Sequence, residues 1–309
     1  MPESRSHLPE TRSLLAPVRW LLAPATDEVR REQAYAAGFL RVLLGLMWLY
    51  NVVWKRPPDF GEDADKGLFH FTSFAVSDPV LPPYSWVVEH AVLPNIVAFG
   101  WVVLLVETAL AVLLLTGAWV RVAAVLGVAQ SLAIGLSVAF APDEWPWSYW
   151  LMVGAHLVIL FSSAGRVFAV DAVRSGVGSA RALGQVWGAL AVVVGAYSVV
   201  ASADEPLARL GSGLASTDWS LSLGRYNLVG GVVLVVVGAL VLVAARSQVA
   251  VLGWAAAAVG VAAAVSLYAQ VGFSDPWLGG TATSAAFLLS VALIGGVVAG
   301  AARRASPRG

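Results

Sequence analysis

Residues 99–117 read FGWVVLLVETALAVLLLTG, a run whose one ionisable side chain, Glu107, stands near its centre. As a helix rising about 1.5 Å per residue, a run of this length matches the roughly 30 Å hydrocarbon core of a bilayer. A carboxylate at that depth is costly and marks a functional site by default. Two other apolar runs carry an ionisable residue at similar depth, Arg41 and His156. The expectation is that these groups meet.

The rest of the composition agrees with a membrane chain. Of 309 residues, 59% are hydrophobic and 12% charged, with mean hydropathy +0.78, whereas soluble domains carry about 25% charged residues. The formal net charge is zero, so no strong pull on nucleic acid is implied. The chain has no cysteine. That excludes disulfides, thiolate-held zinc, iron–sulfur ligation and dithiol redox chemistry carried by this chain.

Eight apolar segments predict spans at 34–54, 97–117, 121–141, 148–164, 184–201, 227–245, 249–270 and 282–302. They do not alternate as barrel strands would, so the expected fold is all-α: a polytopic membrane helical bundle of about eight transmembrane helices. Residues 1–33 form a polar, proline-bearing tail. Its apolar patch, with Leu14, Leu15, Trp20, Leu21 and Leu22, either lies on the membrane surface or is disordered.

Basic residues set the orientation. With the N-terminus inside, thirteen lysines and arginines fall in inner segments and five, Lys55, Arg56, Lys66, Arg209 and Arg225, in outer ones. Both termini are therefore expected in the cytoplasm of a plasma-membrane protein. Trp54, Trp86, Trp145, Trp147 and Trp277 then fall at the outer interface, as an aromatic belt would.

The chain divides into two parallel four-helix halves, 34–176 and 177–309. Each reads span, long outer loop, span, tight inner turn, span, short outer loop, span. Ala124-Val125-Leu126-Gly127 and Ala250-Val251-Leu252-Gly253 occupy matching positions. The second half has no charge inside a span and is rich in small residues, so it reads as packing scaffold. The long outer loop 55–96 carries Phe69, Phe71, Phe74, Tyr84 and Trp86 among acids. It reads as a lid over the first half, with residues 84–92 as a short interfacial helix.

Counting depth from the inner ends puts Arg41, Glu107, Gln130 and His156 on one level, about 10–15 Å above the inner boundary. Gly45, Trp48 and Lys55 follow Arg41 at helical spacing, with Lys55 at the outer surface. Tyr149 and Met152 share the stripe of His156, and Ser137 follows Gln130. A polar, aromatic-lined track from the outer mouth past Tyr149 and Trp147 to the four-residue layer is expected. In that layer Arg41 supplies fixed charge, Glu107 orients it, and His156 donates to a ligand or passes a proton. The alternative is a buried Arg41–Glu107 pair that only fixes helix register. His70, Glu89 and His90 offer weak metal-ligand spacing, and no metal site is expected. No nucleotide loop or nucleophile motif is present.

The segments GFLRVLLGLMWLYNVVWK with Arg41, LVETALAVLLLTGAWVR with Glu107, Gly117 and Arg121, WPWSYW at 145–150, and AGRVFAVD with Arg166 and Asp171 share a pattern. In them, residues 38–176 resemble the DoxX/DoxD-like family of small four-helix membrane proteins. Spans five to eight depart from a minimal member. The resemblance implies membrane redox physiology, since the family includes the membrane subunit of a thiosulfate:quinone oxidoreductase and relatives linked to sulfur metabolism and oxidative stress. A quinone is then the implied substrate, no cofactor is intrinsic, and electrons come from a peripheral redox protein. Two other functions stay open: a small-anion carrier with a path from Lys55 to Arg41, and a membrane anchor for a peripheral enzyme.

Overall fold

The computed structural model describes residues 15–64, 66–216 and 221–305. Leu14 of the surface patch, and Arg5, Arg12 and Arg308 of the basic count, lie outside the described residues. The chain is an all-α polytopic bundle. Its helices are α1 (Ala16–Leu22), α2 (Arg31–Asn51), α3 (Gly67–Ser77), α4 (Pro82–Val87), α5 (Ile96–Thr116) and α6 (Val120–Val138). They continue with α7 (Pro146–Phe161), α8 (Val170–Arg174), α9 (Ala180–Ala201), α10 (Leu228–Ser247), α11 (Ala250–Gln270) and α12 (Ala282–Ala305). Among the described residues, seven helical stretches are long and apolar enough to cross a membrane. The expected span at 148–164 is α7, whose 16 residues fall just under the roughly 17 that a crossing needs.

Long helices consecutive in the chain run antiparallel, as glycine contacts show in the second half. A Cβ at Gly188 would lie 2.8 Å from the Gly238 carbonyl, and one at Gly195 2.7 Å from that of Gly231. Backbone therefore meets backbone along α9 and α10, and Gly253 does the same against Gly295 between α11 and α12. Without a hydrophobic driving force between helices in lipid, such close approach supplies the dispersion contacts that hold the second half. In the first half α2 packs on α5, α5 on α6, α6 on α7 and α7 on α2. In the second, α9, α10, α11 and α12 neighbour one another in the same cyclic order. The most buried long helix, α12, joins the halves by packing on α2 and α5. Thr283 Oγ1 there donates to the Leu49 carbonyl at 3.1 Å.

Local chemistry sets the helix ends. α5 stops at Gly117, φ +68°, where a Cβ would meet Ala169 Cβ at 2.4 Å. α6 starts without a local side-chain cap. Instead the buried Asp171 carboxylate of α8 accepts from Trp119 N at 3.1 Å and Val120 N at 3.0 Å, orphan donors that otherwise cost stability. Ser179 and Asn227 cap α9 and α10 through Ala182 N and Gly230 N.

The loop after α2 is itself helical. α3 lies on α6, and α4 runs on through a π-helical turn, Val88–Val92, and a 3-10 turn, Leu93–Asn95, into α5. Pro94, which lacks an N–H and clashes with the preceding turn, accounts for the break in α-helical pattern. α1 lies against α6, where Arg121 sits 4.6 Å from the Trp20 ring centre. Its Leu15, Val18 and Leu22 are exposed.

Candidate functional site: a buried lysine–glutamate pair under an aromatic cleft

Glu107 is fully buried on α5, and its partner is Lys55 rather than Arg41. Lys55 Nζ stands 2.7 Å from Glu107 Oε1, and Gln130 Nε2 of α6 donates to the same oxygen at 3.0 Å. Lys55 Nζ also sits 3.6 Å from the Trp54 ring centre, a cation–π contact that helps hold the ammonium out of water. Glu107 Oε2 is buried with no hydrogen-bond partner among the described residues.

Local geometry brings Lys55 inside. α2 ends at Asn51 and tightens into a 3-10 turn, Val52–Lys55, which reverses at Arg56 with φ +57°. Through that turn Lys55 stays on the side of α2 that carries the buried Arg41, Gly45 and Trp48, so the lysine expected at the outer surface is 1% exposed.

Above this pair opens an aromatic cleft. Its apolar wall is Trp54, Leu68, Phe71, Phe99, Val103 and Ile134, and its polar groups are Lys55, Gln130, Thr72, Tyr84 and Ser137. The helical loop forms one side. Tyr84 Oη donates to the Ala133 carbonyl at 3.1 Å and lies 2.8 Å from Ser137 Oγ, which stitches α4 to α6. Trp54 and Phe71 meet edge to face at 5.2 Å. The expected lid thus lines the cleft, and Ser137 joins Gln130 there as their helical spacing implies.

Arg41 has a different task. Its Nε donates to Ala164 O at 2.9 Å, Nη1 to Leu115 O at 3.1 Å and to Leu114 O, and Nη2 to Val167 O at 3.2 Å and Phe168 O at 3.1 Å. All five guanidinium donors end on carbonyls at the C-terminus of α5 and in the turn after α7. The expected Arg41–Glu107 pair is therefore absent. Equal depth counted from span edges misplaced Arg41, because α2 begins at Arg31 and Gly45 already faces Leu115. Arg41 lies at the end of α5, beyond Leu114, while Glu107 is two turns further along.

His156 and Trp48 also lie outside the cleft. Trp48 Nε1 donates to His156 Nε2 at 3.0 Å, and His156 Nδ1 lies 2.7 Å from the Met152 carbonyl. A ring that accepts at Nε2 and donates at Nδ1 is neutral with both nitrogens engaged. It has no proton to give a ligand, contrary to its expected role. It occupies the space left by Gly127, whose Cβ would stand 2.0 Å from His156 Cδ2. Tyr149 bonds Glu144, and Trp147 is exposed; neither lines the cleft, so the expected α7 aromatic track is replaced by aromatics of α3, α4, α5 and the α2 end. On the loop, His90 Nδ1 faces the Trp86 carbonyl at 2.9 Å with its ring stacked on that indole. Among the described residues no three His, Asp or Glu side chains gather as a metal site.

No family model matches the chain, and no curated protein or solved structure does either.

Proposed function

We propose that this chain is a plasma-membrane protein that binds the head group of a lipid-soluble quinone in the aromatic cleft, as a quinone-interacting subunit of a membrane redox system. The observation that carries this reading is one cleft that joins aromatic walls to buried hydrogen-bond donors inside an apolar bundle. Ligand sites are typically apolar pockets with a few convergent polar groups. The cleft has two polar poles, Lys55 with Gln130 and Tyr84 with Ser137. Gln130 and Ser137 are seven residues apart on α6, about 10 Å along the axis. Hydrogen bonds of about 2.8 Å at each pole leave about 5 Å for the ligand, the reach of a six-membered ring with para oxygens.

Glu107 holds Lys55 and Gln130 in place by accepting from both. The spare ammonium N–H groups of Lys55 then serve one ligand oxygen, and the Tyr84 hydroxyl serves the other by turning its proton from the Ala133 carbonyl to the ligand. Conversion of quinone to quinol takes two protons and two electrons; a peripheral redox protein is the proposed electron donor. The resemblance to DoxX-like proteins points the same way. A small-anion carrier is less well supported, because Lys55 is neutralised by Glu107 and every Arg41 donor is already engaged. We place both termini in the cytoplasm, from the thirteen-to-five distribution of basic residues.

The test is binding of a water-soluble quinone analogue to purified protein in nanodiscs, read by quenching of tryptophan fluorescence. Gln130→Ala and Tyr84→Phe each remove one cleft hydrogen bond and should weaken binding roughly fivefold to tenfold with helicity unchanged. His156→Phe should leave the affinity of folded protein unaltered. Wild-type affinity in both cleft variants would sink the proposal.

A further inference from the structure

We infer that the opposite end of the bundle carries a site for an anionic glycerophospholipid, in a groove between α2, the turn at 163–169 and the start of α9. Two clefts of about 220 and 250 Å³ share Tyr35, Val167 and Phe168 and so form one groove. Its two halves differ in chemistry. Along α2 the wall is Gly38, Phe39 and Val42, and Phe39 is 71% exposed. That half suits an acyl chain. Toward α9 the groove is lined by Arg166 and Ser179, which suit a phosphodiester.

Arg166 is half-buried and only partly used. Its Nη1 donates to Thr26 O at 2.8 Å and Asp27 O at 3.3 Å. Its Nε and Nη2 have no partner among the described residues, and these two form the edge with which an arginine grips phosphate in bidentate fashion. Arg41 forms part of the inner wall. Its donors all go to carbonyls, and the buried Asp171 carboxylate acts on its charge through space. An anion in the groove would add to that attraction. Arg41 also fixes the groove's shape, because Val167 and Phe168 are pinned by it and Phe168 is held at φ +45°. The phosphate half and the acyl half are continuous, which matches a lipid better than free phosphate. Basic pockets between membrane helices take anionic head groups on the same grounds.

The test uses full-length protein, delipidated in detergent and titrated with phosphatidylglycerol, phosphatidylcholine of the same chains, or inorganic phosphate. Retention by native mass spectrometry and the unfolding midpoint are read. Phosphatidylglycerol should be retained and raise the midpoint, while the other two should not. Arg166→Gln should weaken phosphatidylglycerol binding roughly tenfold or more, whereas Arg246→Gln, outside the groove, should not. Gly38→Leu fills the acyl half and leaves Arg166 intact, so it should also weaken binding, and it decides the case if Arg166→Gln does not fold. Equal retention of the two lipids, an equal response to inorganic phosphate, or wild-type binding in the folded variants would each overturn the proposal. None of these readouts depends on a quinone.

Discussion

Removing one partner from a buried ion pair leaves an uncompensated charge, which typically costs about 3–5 kcal/mol. Lys55→Met should therefore destabilise the protein by about that amount, because Glu107 would stay buried with Gln130 as its remaining donor. The double change Lys55→Met, Glu107→Leu removes both charges and should recover most of the loss. Arg41→Met, Glu107→Leu should not recover it, since those two residues share no contact. Thermal unfolding in one detergent compares the three, and rescue by the Arg41 double would refute the pairing. At this scale the sequence identified Glu107 and Gln130, because a polar residue in an apolar run stands out. It did not identify Lys55 as their partner. Depth counting put Lys55 at the outer surface, whereas it is buried against Glu107. His156 stood out for the same reason as Glu107. What could not be read from its position is that Trp48 and the Met152 carbonyl consume both ring nitrogens.

Tyr84 ties the helical loop to α6 through a hydroxyl that meets Ala133 O and Ser137 Oγ. Tyr84→Phe keeps the ring and removes those bonds, each worth about 1 kcal/mol. Hydrogen exchange across residues 67–92 should rise in that variant while exchange in α9 to α12 stays unchanged. Uniform protection would mean that the aromatic contacts alone hold the loop. A second element depends on glycine. Gly188→Leu would force side-chain atoms into the Gly238 carbonyl, only 2.8 Å from an added Cβ, and should lower the yield of folded protein far more than Val193→Leu on the exposed face of the same helix. Expression followed by size-exclusion chromatography separates these outcomes. The long helices were legible to within a few residues because apolar run length is what a bilayer selects. The helical character of the loop was legible only at residues 84–92. Gly67–Ser77 scatters His70, Thr72 and Ser73 among its apolar residues without a clear period; its Phe71 lines the cleft, while Leu68 and Phe69 pack into a second buried cluster with Phe60 and Ile96.

Across the whole molecule, charge is distributed by end. Arg19, Arg121, Arg166, Arg174, Arg246 and Arg303 lie at the end where α2 begins. Asp59, Glu62, Asp78, Asp143, Glu144 and Asp275 lie at the end where it finishes. The sequence suggested a repeat of two halves through its rhythm of spans and loops; α2, α5, α6 and α7 neighbour one another in a cyclic order that α9 to α12 also have. The central place of α12 was not legible, because a run such as ATSAAFLLSVALIGG looks like any other apolar span until its faces are known. The proposed orientation rests on the basic end, since positive charge resists translocation, and one experiment can decide it. The absence of native cysteine makes single-cysteine labelling clean. Ser247, just before α11, and Ser274, between α11 and α12, are both exposed and stand at opposite ends of α11. Because one helix separates them, exactly one of the two should react with an impermeant maleimide added outside intact cells. With the termini in the cytoplasm, Ser274→Cys is labelled and Ser247→Cys is labelled only after lysis. The reverse pattern would invert the molecule and place the aromatic cleft on the cytoplasmic side. Labelling of both from outside would mean that α11 does not cross, and the bundle would have to be redrawn.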